Sequence, residues 1–322
     1  MQARGAALAP GMFFDSDMGR NIDTALALSM LCGLGRGRVI GVAVSSSSLE
    51  AATLSDVIAR FHNVGGQLPV GLAEDGPKLD DAPMLREPLS MRTPDGQPVF
   101  RSTIRSVLDT ADPPVLLRNA LLTQQDKQGI VVLAGPATNL ARALVVNGVK
   151  EIIAAKVQLL VIAGGAFDGA VVDPRIRADV PSARKLLADW PSPIVAVGIE
   201  AANAVPYPEQ SIETQMTAIP NHPVVAAYRG YREKQQSGSA GIPAPAVVAA
   251  LVAANPAAEY FRFSRPGQID VADDGKTVFR ESPDGMRRHL VIDPGERERI
   301  TQAFVGMSLS RPTTGARGAP RN

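Results

Sequence analysis

Short apolar runs alternate with helix-like segments along most of the chain, and this rhythm restricts the fold more than any other feature. The runs typical of strands are "MFFDSD", "RVIGVAVSS", "LPVGLA", "GIVVLAG", "VQLLVIAGGAF" and "SPIVAVGIE". Segments with helical spacing follow them, such as residues 22–34 and the stretch behind Ser48, a residue suited to capping a helix. The pattern predicts an α/β fold with a mostly parallel central sheet flanked by helices, that is, an open doubly wound sheet.

The 322 residues are enough to bury one large core. We expect a flexible leader at residues 1–10, a single α/β domain at residues 11–308, and a disordered tail at residues 309–322. The tail is predicted to be disordered because it is rich in Pro, Gly and Arg. Within the domain, Pro and Gly predict a long loop or an insertion over residues 75–98, and the pattern of residues 102–108 predicts a helix.

Composition and charge argue against several classes of function. The chain has 33 Lys and Arg against 32 Asp and Glu, a balance that gives no support for nucleic acid or membrane binding driven by charge. No apolar run reaches the length of about 18 residues that a transmembrane helix needs. Cys32 is the only cysteine, which excludes a disulfide framework. We expect a cytoplasmic protein, with a trimmed export leader as the alternative.

Three acidic residues crowd the first turn between a predicted strand and a predicted helix. Asp15 and Asp17 lie two residues apart at the strand end, and Asp23 starts the helix. Carboxylates this close repel each other unless a cation or shared protons compensate. A hard ion held by oxygen ligands, Ca²⁺ or Mg²⁺, is favoured over Zn²⁺. The alternative is that Asp23 caps the helix and the other two acids are solvated.

In an open α/β sheet the functional site lies outside the carboxyl ends of the strands. This rule selects the acidic turn and the loops that follow later strands, which read "SSSS", "AGPATN", "AGGAFDG" and "GIEAAN". All of them are small, polar or acidic. Together they predict one site built from several strand ends.

Four segments in register resemble the nucleoside hydrolase family. "FFDSDMGRNIDTALAL" resembles its N-terminal signature, D-x-D-x-G followed by D-D-A-x-A. "VVLAGPATNLARAL" resembles its G-P-x-T-N-L-A motif, "LLVIAGGAFDG" its apolar strand ending in G-G, and "RIRADVPSARKLL" its segment around N-x-x-x-D-P-x-A-A. The resemblance is close over residues 13–208 and loose over the last hundred residues.

The resemblance implies a Ca²⁺-dependent enzyme that cleaves the N-glycosidic bond of ribonucleosides to give ribose and free base. It also implies a small-molecule nucleoside partner and a homo-oligomer, either a dimer or a tetramer. By position, Asp17 would bind the metal and activate the water, Asp15 would support the metal loop, and Thr138 would offer its carbonyl to the metal. The substrate-binding candidates by position are Asp23, Asn139, Asp173 and Arg175.

The chain departs from the family pattern at several of these positions. Thr24 stands where the second aspartate of the D-D pair belongs, and Pro243 stands where a late aspartate ligand belongs. The ribose-binding Glu and Asn are replaced by Asp173 and Arg175. Because calcium affinity depends on the number of charged ligands, these changes predict a weak or absent Ca²⁺ site.

Three interpretations follow from the departures. The first is an active hydrolase with a rearranged metal site that draws charge from Asp173, Asp168 or Glu200. The second is a metal-free hydrolase in which Asp17 alone activates water and Arg175 contacts the substrate. The third is a degenerate, non-catalytic member of the fold that binds a nucleoside or sugar or acts as a scaffold. We expect hydrolase activity.

Overall fold

A computed structural model describes residues 9–35, 38–62, 64, 68–79, 81–169, 171–235 and 241–311. Most of the expected leader, residues 1–8, and most of the expected tail, residues 312–322, lie outside these ranges. The flexible leader, the disordered tail and the domain limits at residues 11 and 308 therefore stay predictions.

The described elements alternate strand and helix over the first two thirds of the chain. The strands are β1 Gly11–Ser16, β2 Val39–Val44, β3 Val70–Leu72, β4 Gly129–Ala134, β5 Val157–Ala163, β6 Ile194–Val197, β7 Arg262–Phe263, β8 Gly267–Val271, β9 Thr277–Glu281 and β10 Arg287–Val291. The helices are α1 Ile22–Gly33, α2 Leu49–Phe61, α3 Pro83–Ser90, α4 Pro113–Leu122, α5 Thr138–Ala143, α6 Val149–Lys156, α7 Pro174–Ala178, α8 Val180–Asp189, α9 Ile199–Ala204, α10 Pro223–Glu233, α11 Pro245–Ala254 and α12 Arg297–Ser308.

These strands form one ten-stranded sheet in the order β3-β2-β1-β4-β5-β6-β10-β8-β9, with β7 paired to β10. The strands from β3 to β10 in this order are parallel, while β8 and β9 close the far edge in antiparallel pairs. Helices cover both faces, so the predicted mostly parallel α/β fold is confirmed. The parallel strands β1 to β6 are short and mostly apolar because both of their faces are buried.

The two faces of the sheet pack into two separate cores. Met12 and Phe14 of β1 belong to the core that contains α1 and α11, whereas Phe13 belongs to the core that contains α4 and α8. Successive side chains of a strand point to opposite faces, which accounts for this division. Residues 22–32 of α1 are all buried, because α1 is enclosed by neighbouring helices as well as by the sheet.

One prediction of local structure is wrong, and a second is made more specific. Residues 102–108 do not form a helix, because the Ser102 hydroxyl and the Thr103 amide donate to Asp56 Oδ2 of α2 at 2.6 and 2.9 Å and hold this segment against α2. Only a 3₁₀ turn at Val107–Asp109 forms there. Residues 75–98 are more than a loop, since they contain α3, which begins with Pro83 and buries Met84 against the main core.

Within the described ranges, every helix is too short or too polar to cross a lipid bilayer.

Candidate active site

The acidic turn lies at the point where the connections of the sheet reverse direction. From β1 the chain moves outward through β2 and β3, and it then returns to β4 on the other side of β1. This reversal leaves a crevice beyond the carboxyl ends of β1 and β4. The Asp17 amide donates to Ala134 O at 3.3 Å across the crevice. A Cβ on Gly135 would lie 2.6 Å from the Asp17 nitrogen, so only glycine permits this approach.

A single helical turn brings Arg175 to the crevice. Asp173 caps α7, because its Oδ1 accepts hydrogen bonds from the amides of Arg175 at 2.7 Å and Ile176 at 3.2 Å. Pro174 takes the first helical position, where its missing N–H costs nothing. The Arg175 side chain is only 10% exposed and lies against the turn between β1 and α1.

The Arg175 guanidinium pairs with two of the three clustered acids. Its Nη2 donates to both carboxylate oxygens of Asp23 at 3.1 Å. Its Nε lies 3.5 Å from Asp17 Oδ2. Burial alone would lower the pKa of Arg175, but the charges of Asp23 and Asp17 outweigh burial and raise it above the usual value. The guanidinium is therefore a permanent buried cation.

Asp23 lies behind the guanidinium rather than at the surface of the crevice. Its side chain is 0% exposed. Besides Arg175, its Oδ2 accepts a hydrogen bond at 3.0 Å from the Ala246 amide, at the start of α11. Because both oxygens are engaged, Asp23 orients Arg175 and α11 and has little capacity left for a substrate hydroxyl.

Asp17 is the acid of this cluster that faces the open space. Burial raises the pKa of Asp17 above its usual range, and the nearby charge of Arg175 offsets part of that rise. Within the described residues, Asp17 Oδ1 and Arg175 Nε have no hydrogen-bond partner. Arg175 Nε is nevertheless in an ion pair with Asp17 Oδ2. Buried polar atoms without partners are rare in folded proteins, so Asp17 Oδ1 marks a place for a bound polar group.

Asp15 and Asn139 form a buried pair beneath the crevice. Asn139 Nδ2 donates to Asp15 Oδ1 at 3.0 Å and lies 3.5 Å from Val44 O, which ties the ends of β1, β2 and α5 together. Burial raises the pKa of Asp15 to about 8, despite the opposing effect of the Asn139 hydrogen bond. The Thr138 hydroxyl points elsewhere, because it donates to Asp179 Oδ2 at 2.6 Å.

The crevice opens into a cleft of about 400 Å³, which is within the range typical of small-molecule sites. The residues lining it are Asp17, Arg20, Asn21, Pro136, Asp173, Pro174, Arg175, Ala178, Ile199, Ala202, Asn203, Pro243 and Pro245. The structure thus brings three of the predicted site residues together at the cleft, namely Asp17, Asp173 and Arg175.

The other site candidates lie behind the wall of the cleft or apart from it. Asp23 and Asn139 are buried, with relative exposures of 0% and 2%. The Thr138 hydroxyl is bonded to Asp179, and the role expected of the Thr138 carbonyl stays a prediction. Glu200, considered above as a source of charge, is half-buried and accepts a hydrogen bond from the Phe167 amide at 3.3 Å, while Asp168 is exposed.

Comparison with models of protein families shows to which family the chain belongs. The model for inosine-uridine preferring nucleoside hydrolases matches residues 12–309 of the chain. The chain belongs to this family. The match covers both the strand-end loops and the C-terminal strands, including the last hundred residues, where the sequence motifs were weak.

Solved structures agree on the nucleoside hydrolase fold. The chain is similar to the plant nucleoside hydrolase PpNRh1, with 20% identity, a TM-score of 0.71, and coverage of 94% of this chain and 99% of that chain. The inosine-uridine preferring nucleoside hydrolase from Bacillus anthracis has 19% identity, a TM-score of 0.68 and the same coverage. The purine-preferring ribonucleoside hydrolase from Gardnerella vaginalis has 15% identity and a TM-score of 0.67, and the match covers 93% of this chain and 99% of that chain.

None of the curated proteins compared with the chain matches it significantly. At these low identities the solved structures show the shared fold. Family membership and fold together support hydrolysis of the N-glycosidic bond of nucleosides, and they do not favour the non-catalytic alternative.

Nucleoside hydrolases of this family generally bind calcium, but the side chains of this chain do not fit that ion. The Thr24 hydroxyl donates to Asn21 O at 2.8 Å, and the Pro243 side chain contains no oxygen. Arg175 already pairs with both Asp17 and Asp23. Within the described residues, no group of three or more His, Cys, Asp or Glu side chains is placed to hold a metal ion.

The ion pair between Arg175 and the two aspartates is the feature that the sequence did not reveal. The sequence predicts that Arg175 contacts a substrate, whereas the structure pairs it with Asp23. A signal is present in the charges, because two acidic ligands are lost at Thr24 and Pro243 and a cation stands where the family has a neutral residue. These changes make the site more positive by about as much as a calcium ion would, which indicates that they belong to one site.

Proposed function

We propose that the chain hydrolyses the N-glycosidic bond of a ribonucleoside bound in the cleft, and that Asp17 activates the attacking water. The observation that supports the proposal is the environment of the Asp17 carboxylate in a member of this family. Its carboxylate is buried at the cleft, has one oxygen without a hydrogen-bond partner in the described structure, and has a raised pKa.

These properties suit a general base. A carboxylate takes a proton from water more readily when its pKa rises toward the working pH. The water oxygen then attacks the anomeric carbon of the ribose, the bond from that carbon to the base nitrogen breaks, and its electron pair leaves with the base. Positive charge develops on the sugar during this step, and the buried carboxylates near the cleft stabilise it.

The remaining predicted residues divide into two roles in this proposal. Asp173 and Arg175 line the cleft and contact the sugar, with burial raising the pKa of Asp173 above its usual range. Asp23 and Asn139 act indirectly, because Asp23 orients Arg175 and Asn139 holds Asp15. The reaction as proposed passes through side chains of the protein and assigns no step to calcium.

A panel of purine and pyrimidine ribonucleosides tests the proposal, with released ribose measured as reducing sugar. We expect release from at least one nucleoside, and a decrease of roughly 10²- to 10⁴-fold in kcat for Asp17→Asn. Asp273→Asn is the matched control, because it makes the same chemical change at a side chain that is 99% exposed. The proposal is wrong if no nucleoside yields ribose, or if Asp17→Asn is as active as the control.

Two further expectations remain proposals. Family resemblance implies a homo-oligomer, either a dimer or a tetramer, and light scattering after gel filtration measures which state exists. A cytoplasmic location is the second expectation, and localisation of the tagged full chain tests it.

A further inference from the structure

The strongest unassigned feature is the way in which one cation is shared between acids from two elements of the fold. Asp17 lies after β1 and Asp23 lies in the first turn of α1, whereas Arg175 comes from α7. The three side chains are at most 10% exposed. A buried charge without a partner is costly, so the three groups must be placed together when the chain folds.

The guanidinium occupies space that a metal ion would need. A calcium ion requires six to eight oxygen ligands at about 2.3–2.6 Å. Here Arg175 Nη2 lies 3.1 Å from both oxygens of Asp23, and Nε lies 3.5 Å from Asp17 Oδ2. A divalent ion bound to Asp23 or to Asp17 Oδ2 would lie close to the guanidinium, and two cations at that separation repel each other strongly.

The surrounding residues are consistent with this exchange. The Thr24 hydroxyl is turned back onto Asn21 O at 2.8 Å. Pro243 lines the cleft with an apolar ring. The first change removes a carboxylate and the second offers none, so the guanidinium faces only the two carboxylates of Asp17 and Asp23 and balances one of their two charges.

We propose that Arg175 is a built-in cation that replaces the calcium ion of the family, holding Asp17 and Asp23 in position and making the site independent of metal. Its place in a short capped turn fixes its direction, so the cleft is organised without any ion from solution. The part of this proposal that concerns activity rests on the proposed hydrolysis. The part that concerns metal binding does not.

Metal content and thermal melting of the unmodified protein test the proposal without any activity assay. We expect no stoichiometric calcium after equilibration with calcium chloride and removal of free ion. We also expect the same melting temperature in EDTA and in excess calcium. Stoichiometric calcium, or a calcium-dependent rise of roughly 5 °C in melting temperature, would overturn the proposal.

Two designed variants isolate the role of the guanidinium. Thr24→Asp/Pro243→Asp restores both missing acids and keeps Arg175, whereas the triple variant adds Arg175→Asn. We expect a calcium-dependent rise in melting temperature for the triple variant and none for the double variant. If both respond to calcium, or neither does, Arg175 is not what replaces the ion. Should these variants fail to fold, the measurements on the unmodified protein still decide.

Two replacements of Arg175 separate the effect of its charge from the effect of its shape. Arg175→Lys keeps a cation, and we expect it to retain part of any nucleoside hydrolysis with a raised KM, unaffected by EDTA. Arg175→Gln removes the cation, and we expect a loss of more than about 100-fold in kcat/KM. Equal activity of the two variants would contradict the proposal. If no nucleoside is cleaved while the protein stays free of calcium, the proposed function fails and the metal part of the inference stands.

Discussion

Replacing Arg175 with glutamine is the change that most directly tests how the site is held together. The substitution removes a buried guanidinium that lies 3.1 Å from both oxygens of Asp23 and 3.5 Å from Asp17 Oδ2. At an effective dielectric constant of about 20, each such pair of charges is worth roughly 4 kcal/mol of attraction at 4 Å. The cost of desolvating the guanidinium, several kcal/mol, disappears with it.

The balance of these terms predicts a destabilised protein. Breaking a buried ion pair by removing one partner costs about 3–5 kcal/mol of unfolding free energy, because the other charge is left uncompensated. For a chain of 322 residues we expect a fall of roughly 4–7 °C in melting temperature. The deficit should be smaller at pH 5 than at pH 8. Without the guanidinium, Asp17 is protonated more easily, since burial already raises its pKa.

A double-mutant cycle with Asp23→Asn identifies the partner. Asparagine keeps an oxygen for the Ala246 amide, which donates to Asp23 Oδ2 at 3.0 Å, but carries no charge. We expect the double variant Arg175→Gln/Asp23→Asn to be about 2–3 kcal/mol more stable than the sum of the two single effects predicts.

Circular dichroism during heating and urea unfolding provide the two measurements of stability. Arg177→Gln is the matched control, because Arg177 lies on the same helical turn and is exposed. The reasoning fails if Arg175→Gln melts within about 1 °C of the unmodified protein, or if the effects of the two single substitutions simply add.

Two further predictions concern other parts of the fold. In Gly135→Ala, a Cβ only 2.6 Å from the Asp17 nitrogen must shift the loop that carries Asp17, and we expect kcat for the proposed ribose release to fall roughly 100-fold. Gly306→Ala is the control, since a Cβ there meets nothing within 4 Å, and equal activity of the two variants would contradict the prediction. Burial lowers the pKa of His62 from 6.5 to about 4, so the unfolded chain takes up a proton before the native state does. Stability should therefore fall as the pH drops from about 6.5 to 4, and His62→Gln should remove roughly 3 kcal/mol of that loss. Urea unfolding at pH 7 and pH 4.5 measures this loss of unfolding free energy. The same pH dependence in the unmodified protein and in His62→Gln would refute the prediction.

The sheet and the loops of the site were predictable because their signals are local. Continuous apolar runs between helices identify strands buried on both faces, and the polar loops behind those runs identify the end of the sheet where a site forms. Ser48 was expected to cap the second helix, and its hydroxyl oxygen does accept a hydrogen bond from the Ala51 amide at 3.2 Å. Such contacts join residues a few positions apart, so periodicity and residue type reveal them.

The pairings within the site were not predictable for the opposite reason. Arg175 and Asp23 are 152 positions apart, and the Ala246 amide reaches Asp23 from 223 positions away. No periodic pattern encodes contacts of this kind, because they depend on how strands and helices stack. The missing helix at residues 102–108 has the same origin, since Asp56 of α2 binds that segment from 46 positions away.

An arginine in place of a metal ion changes what the protein needs from its surroundings. A bound ion stabilises the folded state in proportion to the logarithm of its concentration, whereas a guanidinium is present whenever the chain folds. The exchange also has a chemical consequence. A metal ion lowers the pKa of a water molecule that it binds, and a guanidinium cannot coordinate water in that way. More of the activation then falls on the carboxylate of Asp17, and its raised pKa is the change that makes a carboxylate a stronger base. Arg175 holds Asp17 in place, and it is burial rather than the guanidinium that raises the pKa of Asp17. A variant that restores the calcium ligands should therefore bind the ion only when Arg175 is also removed.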